Sequence, residues 1–290
     1  MLSRILPSLL LVTLSGLLCP PPADAAGGRW TSDVEAAVER AAETDRMLLV
    51  DLYADWCGWC KVLERKVFAT PEFQRYAERF VLLRVDTEDG AEGTLLKARY
   101  RVSSLPTTLI LDPDMVQVGA VTGFKPPAEF IAAVEEELAT YRTLVEFFDK
   151  VRESDEVDLQ HRLAEDFHDR GDGRRAAALY ERVLERVEAG TAAYAWLRYQ
   201  AADARRLAGE LDAAESHLER ALKLAATLDD PELLERLDLL SFHLAQDRGD
   251  CQAATASLEH FLEEHPRSVY SGQARRTLEE LRHGGGALCT

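Results

Sequence analysis

Cys57 and Cys60 sit in the stretch LLVDLYADWCGWCKVLERKVF (48–68), spaced as C-x-x-C, each preceded by a tryptophan, after an apolar run and before a helical pattern. A thiol at a helix start faces unpaired backbone N–H groups and the positive end of the helix dipole, which favour the thiolate. Cys57 is therefore expected to attack, and Cys60, one turn further in and shielded, to resolve the resulting mixed disulfide. Asp51 lies in the apolar run before the pair. A carboxylate buried there is costly, so its pKa is expected to rise toward neutrality, where it can exchange a proton with the resolving thiol. In SSLPTTLIL, Pro106 opens a strand. A cis peptide at that point exposes the backbone of Leu105 beside the dithiol, where an extended substrate segment can add as a strand. Trp56, Gly58, Trp59, Leu105 and Pro106 are the expected substrate-contact residues. The pair also admits two other readings, half of a zinc site and a static disulfide. The first lacks a second C-x-x-C or an H-x-x-x-H, and the second leaves Asp51 and the flanking tryptophans unused.

Apolar spacing defines the elements that must position these groups. Residues 32–44 read as a helix with Ser32 or Asp33 as N-cap, and Met47–Tyr53 as a buried central strand. A helix follows the cysteines and restarts at Pro71 through Arg79; 80–86 is a second buried strand and 93–100 a helix. Residues 106–124 form two strands around Asp112-Pro113-Asp114, and a helix from Pro127 to Asp149 closes the unit. This order implies a mixed sheet with helices on both faces.

Beyond residue 155 strand signals vanish. Gly171-Asp172, Gly209-Glu210 and Gly249-Asp250 recur at spacings of 38 and 40 residues. Five positions after each glycine stands Ala176, Ala214 or Ala254, and nine after, Tyr180, Leu218 or Leu258. Pro266 follows the last pattern. This looks like the tetratricopeptide repeat, although the periods exceed the usual ~34 residues and Trp196 and Tyr199 are out of strict register. An irregular helical bundle is the alternative; either way this half is all-α and built of stacked hairpins. Cys251 and Cys289 are read as a small buried residue and a tail thiol, with pairing between them the other option. His161/His168 and His260/His265 are read as residues of solvated helix faces.

Acids outnumber Lys and Arg by 51 to 34, a net charge of −17, which argues against nucleic acid or an anionic membrane as partner. The N-terminus carries Arg4, an apolar run from Ile5 to Leu18 and the small-residue site Ala23-Asp24-Ala25. It reads as a signal peptide cleaved after Ala25, so the chain is expected to be exported to the periplasm or cell envelope. A membrane attachment arises only if the segment is uncleaved, or if Cys19 is lipidated.

Residues 30–140 resemble thioredoxin-fold proteins through DLYADWCGWCK and the Leu105-Pro106-Thr107 segment. Within that superfamily, LLVDLYADWC…CK…E, LLRVD and VTGF look most like the periplasmic C-terminal domain of the envelope thiol:disulfide interchange reductase. The resemblance implies a dithiol oxidoreductase with Cys57 and Cys60 as redox pair, Asp51 as buried acid and Pro106 as cis-proline, needing no cofactor beyond that disulfide. Gly58-Trp59 departs from the Gly-Pro and Pro-His dipeptides of known relatives at the position that tunes the potential; no histidine precedes residue 161, which removes a positive partner for the thiolate and favours a reducing or intermediate potential. The expected organisation is a signal peptide (1–25), an α/β thioredoxin-like domain (28–150), tetratricopeptide-like repeats (155–283) and a tail (284–290). The expected function is thiol–disulfide exchange on envelope proteins, reducing or isomerising, with a protein or peptide partner on the repeats. The rival is a non-catalytic redox-sensing adaptor whose repeats carry the function.

Overall fold

The computed structural model describes residues 30–283. The expected signal segment with Cys19, and the tail with Cys289, lie outside the described residues. Asp33 caps helix α1 (Val34–Thr44) by accepting from the Ala36 N–H, and left-handed Asp45 ends it. Strand β1 (Leu48–Tyr53) follows, then α2 (Gly58–Leu63), which continues as a π-helical segment over Glu64–Phe68. Thr70 caps α3 (Pro71–Ala77), with Pro71 at a position that needs no N–H donor. Strand β2 (Val81–Asp86), helix α4 (Glu92–Arg99), strands β3 (Thr107–Leu111) and β4 (Gln117–Thr122), and helix α5 (Pro127–Arg152) complete this half.

The sheet order is β2-β1-β3-β4. β1 pairs parallel with β2 and antiparallel with β3, which pairs antiparallel with β4 across an irregularity at Ile110/Leu111. Alternation along β1 sorts its side chains onto two cores. Leu48, Val50 and Leu52 pack with Ala37 and Ala41 of α1 and Leu96 of α4. Leu49 packs with Leu63, Phe68, Phe73 and Phe130 from α2, its π-helical extension, α3 and α5. Asp51 shares Leu49's parity and so lies on the α2 side.

Seven helices follow: α6 (Val157–Asp169), α7 (Gly173–Leu184), α8 (Ala192–Leu207), α9 (Leu211–Leu228), α10 (Pro231–Asp247), α11 (Cys251–Glu264) and α12 (Ser271–Arg282). The three Gly-acid pairs lie between α6 and α7, α8 and α9, and α10 and α11. At each, the glycine takes a left-handed φ of 69–80°. The next N–H bonds back five residues: Asp172 to Phe167, Glu210 to Arg205, and Asp250 to Ala245. Ala176, Ala214 and Ala254 are buried where the paired helices cross, as are Tyr180, Leu218 and Leu258. The recurring Gly-acid spacing thus corresponds to one hairpin turn made three times. Among the described residues, no helix is long and apolar enough to cross a membrane.

Helix α5 belongs to both halves: Phe130, Val134, Leu138 and Tyr141 join the sheet's core, whereas Phe148 and Val151 join that of α6 and α7. The α6–α7 turn also meets the open edge of β4, where the Gln117 N–H donates to the Arg170 carbonyl at 2.8 Å and the Arg170 guanidinium to the Val118 carbonyl at 3.1 Å.

The histidines differ from expectation. His161 bonds Gln200 at 3.0 Å, His168 meets Asp203 at 3.0 Å and His265 meets buried Asp238 at 2.8 Å, so these three lie in contacts between helices; only His260 is on a solvated face. Cys251 is exposed and disulfide-bonded, not a small buried thiol.

Two glycines separate backbone conformation from packing. A Cβ on Gly209 meets nothing within 4 Å, so Gly209→Ala costs only its left-handed φ of 75°, about 1–2 kcal/mol. A Cβ on Gly173 lies 2.3 Å from the Ala204 carbonyl oxygen and 2.5 Å from the Ala208 nitrogen, backbone that must move. Gly173→Ala is expected to cost more, at or above the upper end of the ~1–3 kcal/mol of ordinary overpacking. Urea unfolding of the full chain followed by helical circular dichroism ranks the two.

Candidate active site

Cys57 is the N-cap of α2. Its Sγ accepts the Cys60 N–H at 3.1 Å, and its own N–H donates to the Ala54 carbonyl at 2.9 Å. The N-terminal placement expected for the attacking sulfur is therefore present. The two sulfurs are joined as a disulfide, with both residues nearly covered, 3% and 1% exposed. Ala54, Tyr53 and Leu105 pack around them. The Leu105–Pro106 bond is cis. The Pro106 carbonyl accepts from the Gly123 N–H at 2.9 Å, which ties this loop to the end of β4.

The rim is apolar and open. Trp56 and Trp59 are 67% and 62% exposed, and Trp59 lies 5.8 Å from the Phe124 ring just beyond β4. Gly58 is exposed between the cysteines, whereas Leu105 is half-buried and Pro106 buried. All five expected substrate-contact residues thus lie at or beside one end of β1 and β3.

Beneath the disulfide the site is electrostatic. Asp51 is fully buried, and neither carboxylate oxygen accepts a hydrogen bond. Its β2 neighbour in the parallel register is Arg84, whose Nε lies 3.2 Å from Asp51 Oδ2. The Arg84 guanidinium then forks onto Glu64, at 2.9 and 3.1 Å to its two oxygens, and stacks 4.4 Å over the Tyr53 ring. Burial pushes the Asp51 carboxyl up to about 7; Arg84 opposes the rise and the charge of Glu64 adds to it. Hydrogen bonds from Arg84 hold Glu64 below the usual carboxylate range. A cavity of about 360 Å³ lined by Trp30, Tyr53, Cys60, Glu64 and Arg84 opens the Arg84–Glu64 end of this network to solvent beside Cys60.

Sequence reasoning assigns no role to Arg84, Glu64 or Phe124. Arg84 carries a legible signal, a lone cation in a buried strand that must neighbour the strand holding a lone acid. Glu64 lies one helical turn after Cys60, on the side Arg84 reaches. Phe124 has no local signal; only the sheet order brings it to Trp59.

A sequence profile of the Thioredoxin-like family matches residues 29–113. The thiol:disulfide interchange protein DsbD of Ralstonia nicotianae is 35% identical over 111 residues, 38% of this chain and 18% of that protein. The DsbD of Haemophilus ducreyi is 33% identical over 124 residues, 41% of this chain and 22% of the relative. This chain thus spans about a fifth of the length of these relatives. The crystal structure of the oxidised C-terminal domain of Neisseria meningitidis DsbD overlays with a TM-score of 0.33 at 24% identity, covering 38% of this chain and 99% of the domain. Profile match and sequence relatives agree that residues 29–113 are a thioredoxin-like domain similar to part of DsbD, followed in this chain by a largely helical region.

Proposed function

We propose that the protein is an exported thiol–disulfide oxidoreductase that reduces or isomerises disulfides of envelope proteins, with its tetratricopeptide-like hairpins holding a protein partner. The observation that carries the reading is the Cys57–Cys60 disulfide capping α2, in the half of the chain where a fully buried acid lies on the α2 side of β1. In the reducing direction, the Cys57 thiolate attacks one sulfur of a client disulfide, forming a mixed disulfide and releasing a client thiolate. Cys60 then loses its proton and attacks the Cys57 sulfur. The second client thiolate leaves, and the Cys57–Cys60 disulfide forms. Two electrons pass from the dithiol to the client, and an external dithiol must return them. With a pKa of about 7, Asp51 is suited to accept the Cys60 proton and release it through the Arg84–Glu64 cavity. No cofactor beyond the disulfide is needed. Exposed Trp56 and Trp59 offer apolar contact to an unfolded client, and the Leu105 backbone an edge for an extended segment. Tethering a partner on the hairpins raises its effective concentration at the dithiol. The signal-like leader supports placement in the periplasm or envelope.

Trapping provides the first test. In the envelope, Cys60→Ser is expected to accumulate mixed disulfides through Cys57, which Cys57→Ser abolishes; wild type is expected to reduce a small aromatic disulfide. Absence of both adducts and reduction would leave the redox-sensing adaptor as the surviving reading.

The second test is the pH dependence of the resolving step. In wild type its rate is expected to rise through about pH 7 as Asp51 ionises. Asp51→Asn removes that inflection and slows resolution near neutrality by about 10²-fold or more, the usual contribution of a positioned base. Arg84→Gln withdraws the cation opposing the rise and moves the inflection to higher pH. Rapid-quench trapping of the mixed disulfide follows all three.

Stability supplies a third test. Because the folded pKa of Asp51 lies above its unfolded value, the folded state binds the extra proton between about pH 4 and pH 7. Stability from this group is fully present below the unfolded pKa and is lost as pH rises through the folded one, by on the order of 4 kcal/mol. Asp51→Asn is expected to remove that decline, as read by denaturant titrations from pH 4 to 8.

A further inference from the structure

At the opposite end of β1 from the disulfide, a cavity of about 440 Å³ lies where the sheet, α5 and α7 meet. Its apolar lining is Met47, Phe80, Leu138, Tyr141 and Val145, and its polar lining is Arg46, Arg79, Arg142, Arg175 and a single acid, Asp45. Four guanidinium groups facing one carboxylate is the reverse of the whole chain, where acids exceed bases by 51 to 34. Two are held in place by internal partners. Arg79 pairs with Glu135 at 2.7 Å and stacks over Tyr76 and Phe80, and Arg175 pairs with Asp172. The other two keep their charge unmatched. Arg46 donates to the Glu78 carbonyl at 3.0 Å and the Thr44 hydroxyl at 3.2 Å, contacts that orient the guanidinium without neutralising it. Arg142 is exposed and has no hydrogen bond or ion pair among the described residues.

From this we infer that the seam cavity is a binding site for a small amphiphilic anion: a carboxylate or phosphate monoester head between Arg46 and Arg142, and an aliphatic or aromatic body on the Met47–Phe80–Leu138–Val145 floor. The volume lies within the ~300–1,000 Å³ of small-ligand pockets, and an apolar floor with a few convergent polar groups is their usual lining. A guanidinium fork matches either head group in bidentate geometry. Arg46, already oriented by its two hydrogen bonds, loses little further freedom on binding. Arg175 comes from the helical half and Arg46 from the sheet half, so the site exists only where the halves pack together. Six strand residues at ~3.3 Å each place it roughly 20 Å from the dithiol, so an occupant leaves the disulfide open to clients.

The test is equilibrium dialysis of the full chain against decyl phosphate and decanoate below their micelle thresholds, with inorganic phosphate and decanol as head-only and tail-only controls. One amphiphile per chain is expected, with both controls at least tenfold weaker. Arg142→Glu and Arg46→Glu are each expected to weaken binding at least tenfold, with thiol–disulfide exchange unchanged. Arg142 is exposed, so its variant stays folded and informative even if the Arg46 variant does not. Failure of both amphiphiles to bind, binding that survives both reversals, or equal binding of decanol would overturn the inference.

Discussion

A carboxylate buried without a hydrogen bond is the constraint around which the thioredoxin-like half is arranged. Asp51 occupies a β1 position whose neighbours along the strand are fully covered, and an unpaired charge there carries a desolvation penalty of several kcal/mol. Moving it by one residue would place it among Val50 and Leu52, in the core against α1, so the register of β1 is tied to the chemistry. The structure moderates the penalty at one remove. Parallel pairing sets Arg84 beside it, Glu64 holds the far side of the guanidinium, and the Tyr53 ring packs against its face. The balance leaves the acid ionisable near neutrality, with neither a permanent proton nor a permanent charge.

The same arrangement accounts for the order of elements around the dithiol. Helix α2 must start at Cys57 for the thiolate to meet free N–H groups, and it must lie over the Asp51 face of β1. The π-helical stretch Glu64–Phe68 then carries Glu64 toward Arg84 while turning Val67 and Phe68 into the core beside Phe73 and Phe130. Its extra residue per turn has a plain local cause, the i→i−5 bond from the Ala69 N–H to the Glu64 carbonyl.

Much of this was legible in the sequence because it depends on local pattern. Apolar runs and helical spacing, with Asp33 and Pro71, mark the elements, and the Gly-acid pairs mark each hairpin turn because a left-handed residue must stand there. Features that depend on register or on partners distant in sequence were not legible. The Arg84–Asp51 contact requires knowing that β1 and β2 are parallel and in step. The pairing of His168 with Asp203 and of His265 with Asp238 requires knowing how separate helices pack against one another, so a polar residue on a helix pattern reads as solvated until its neighbour is placed. The exposure of Cys251 likewise follows from its place at the start of α11 on the outer side of a hairpin, which periodicity over so short a stretch does not resolve.

Helix α5 links the two kinds of architecture. Its first turns complete the sheet's core through Phe130 and Val134, and its last belong to the hairpins through Phe148 and Val151. Between them Tyr141 donates to Asp172, the N-cap of α7, at 3.3 Å. The α6–α7 turn occupies the β4 edge, where an unpaired strand would otherwise be open to another chain. A pair of domains joined by a flexible linker would move independently; a shared helix and a shared sheet edge instead orient the first hairpin against the sheet. The same junction packs the hairpins at the end of β1 away from Cys57, and the disulfide with exposed Trp56 and Trp59 lies at the other end.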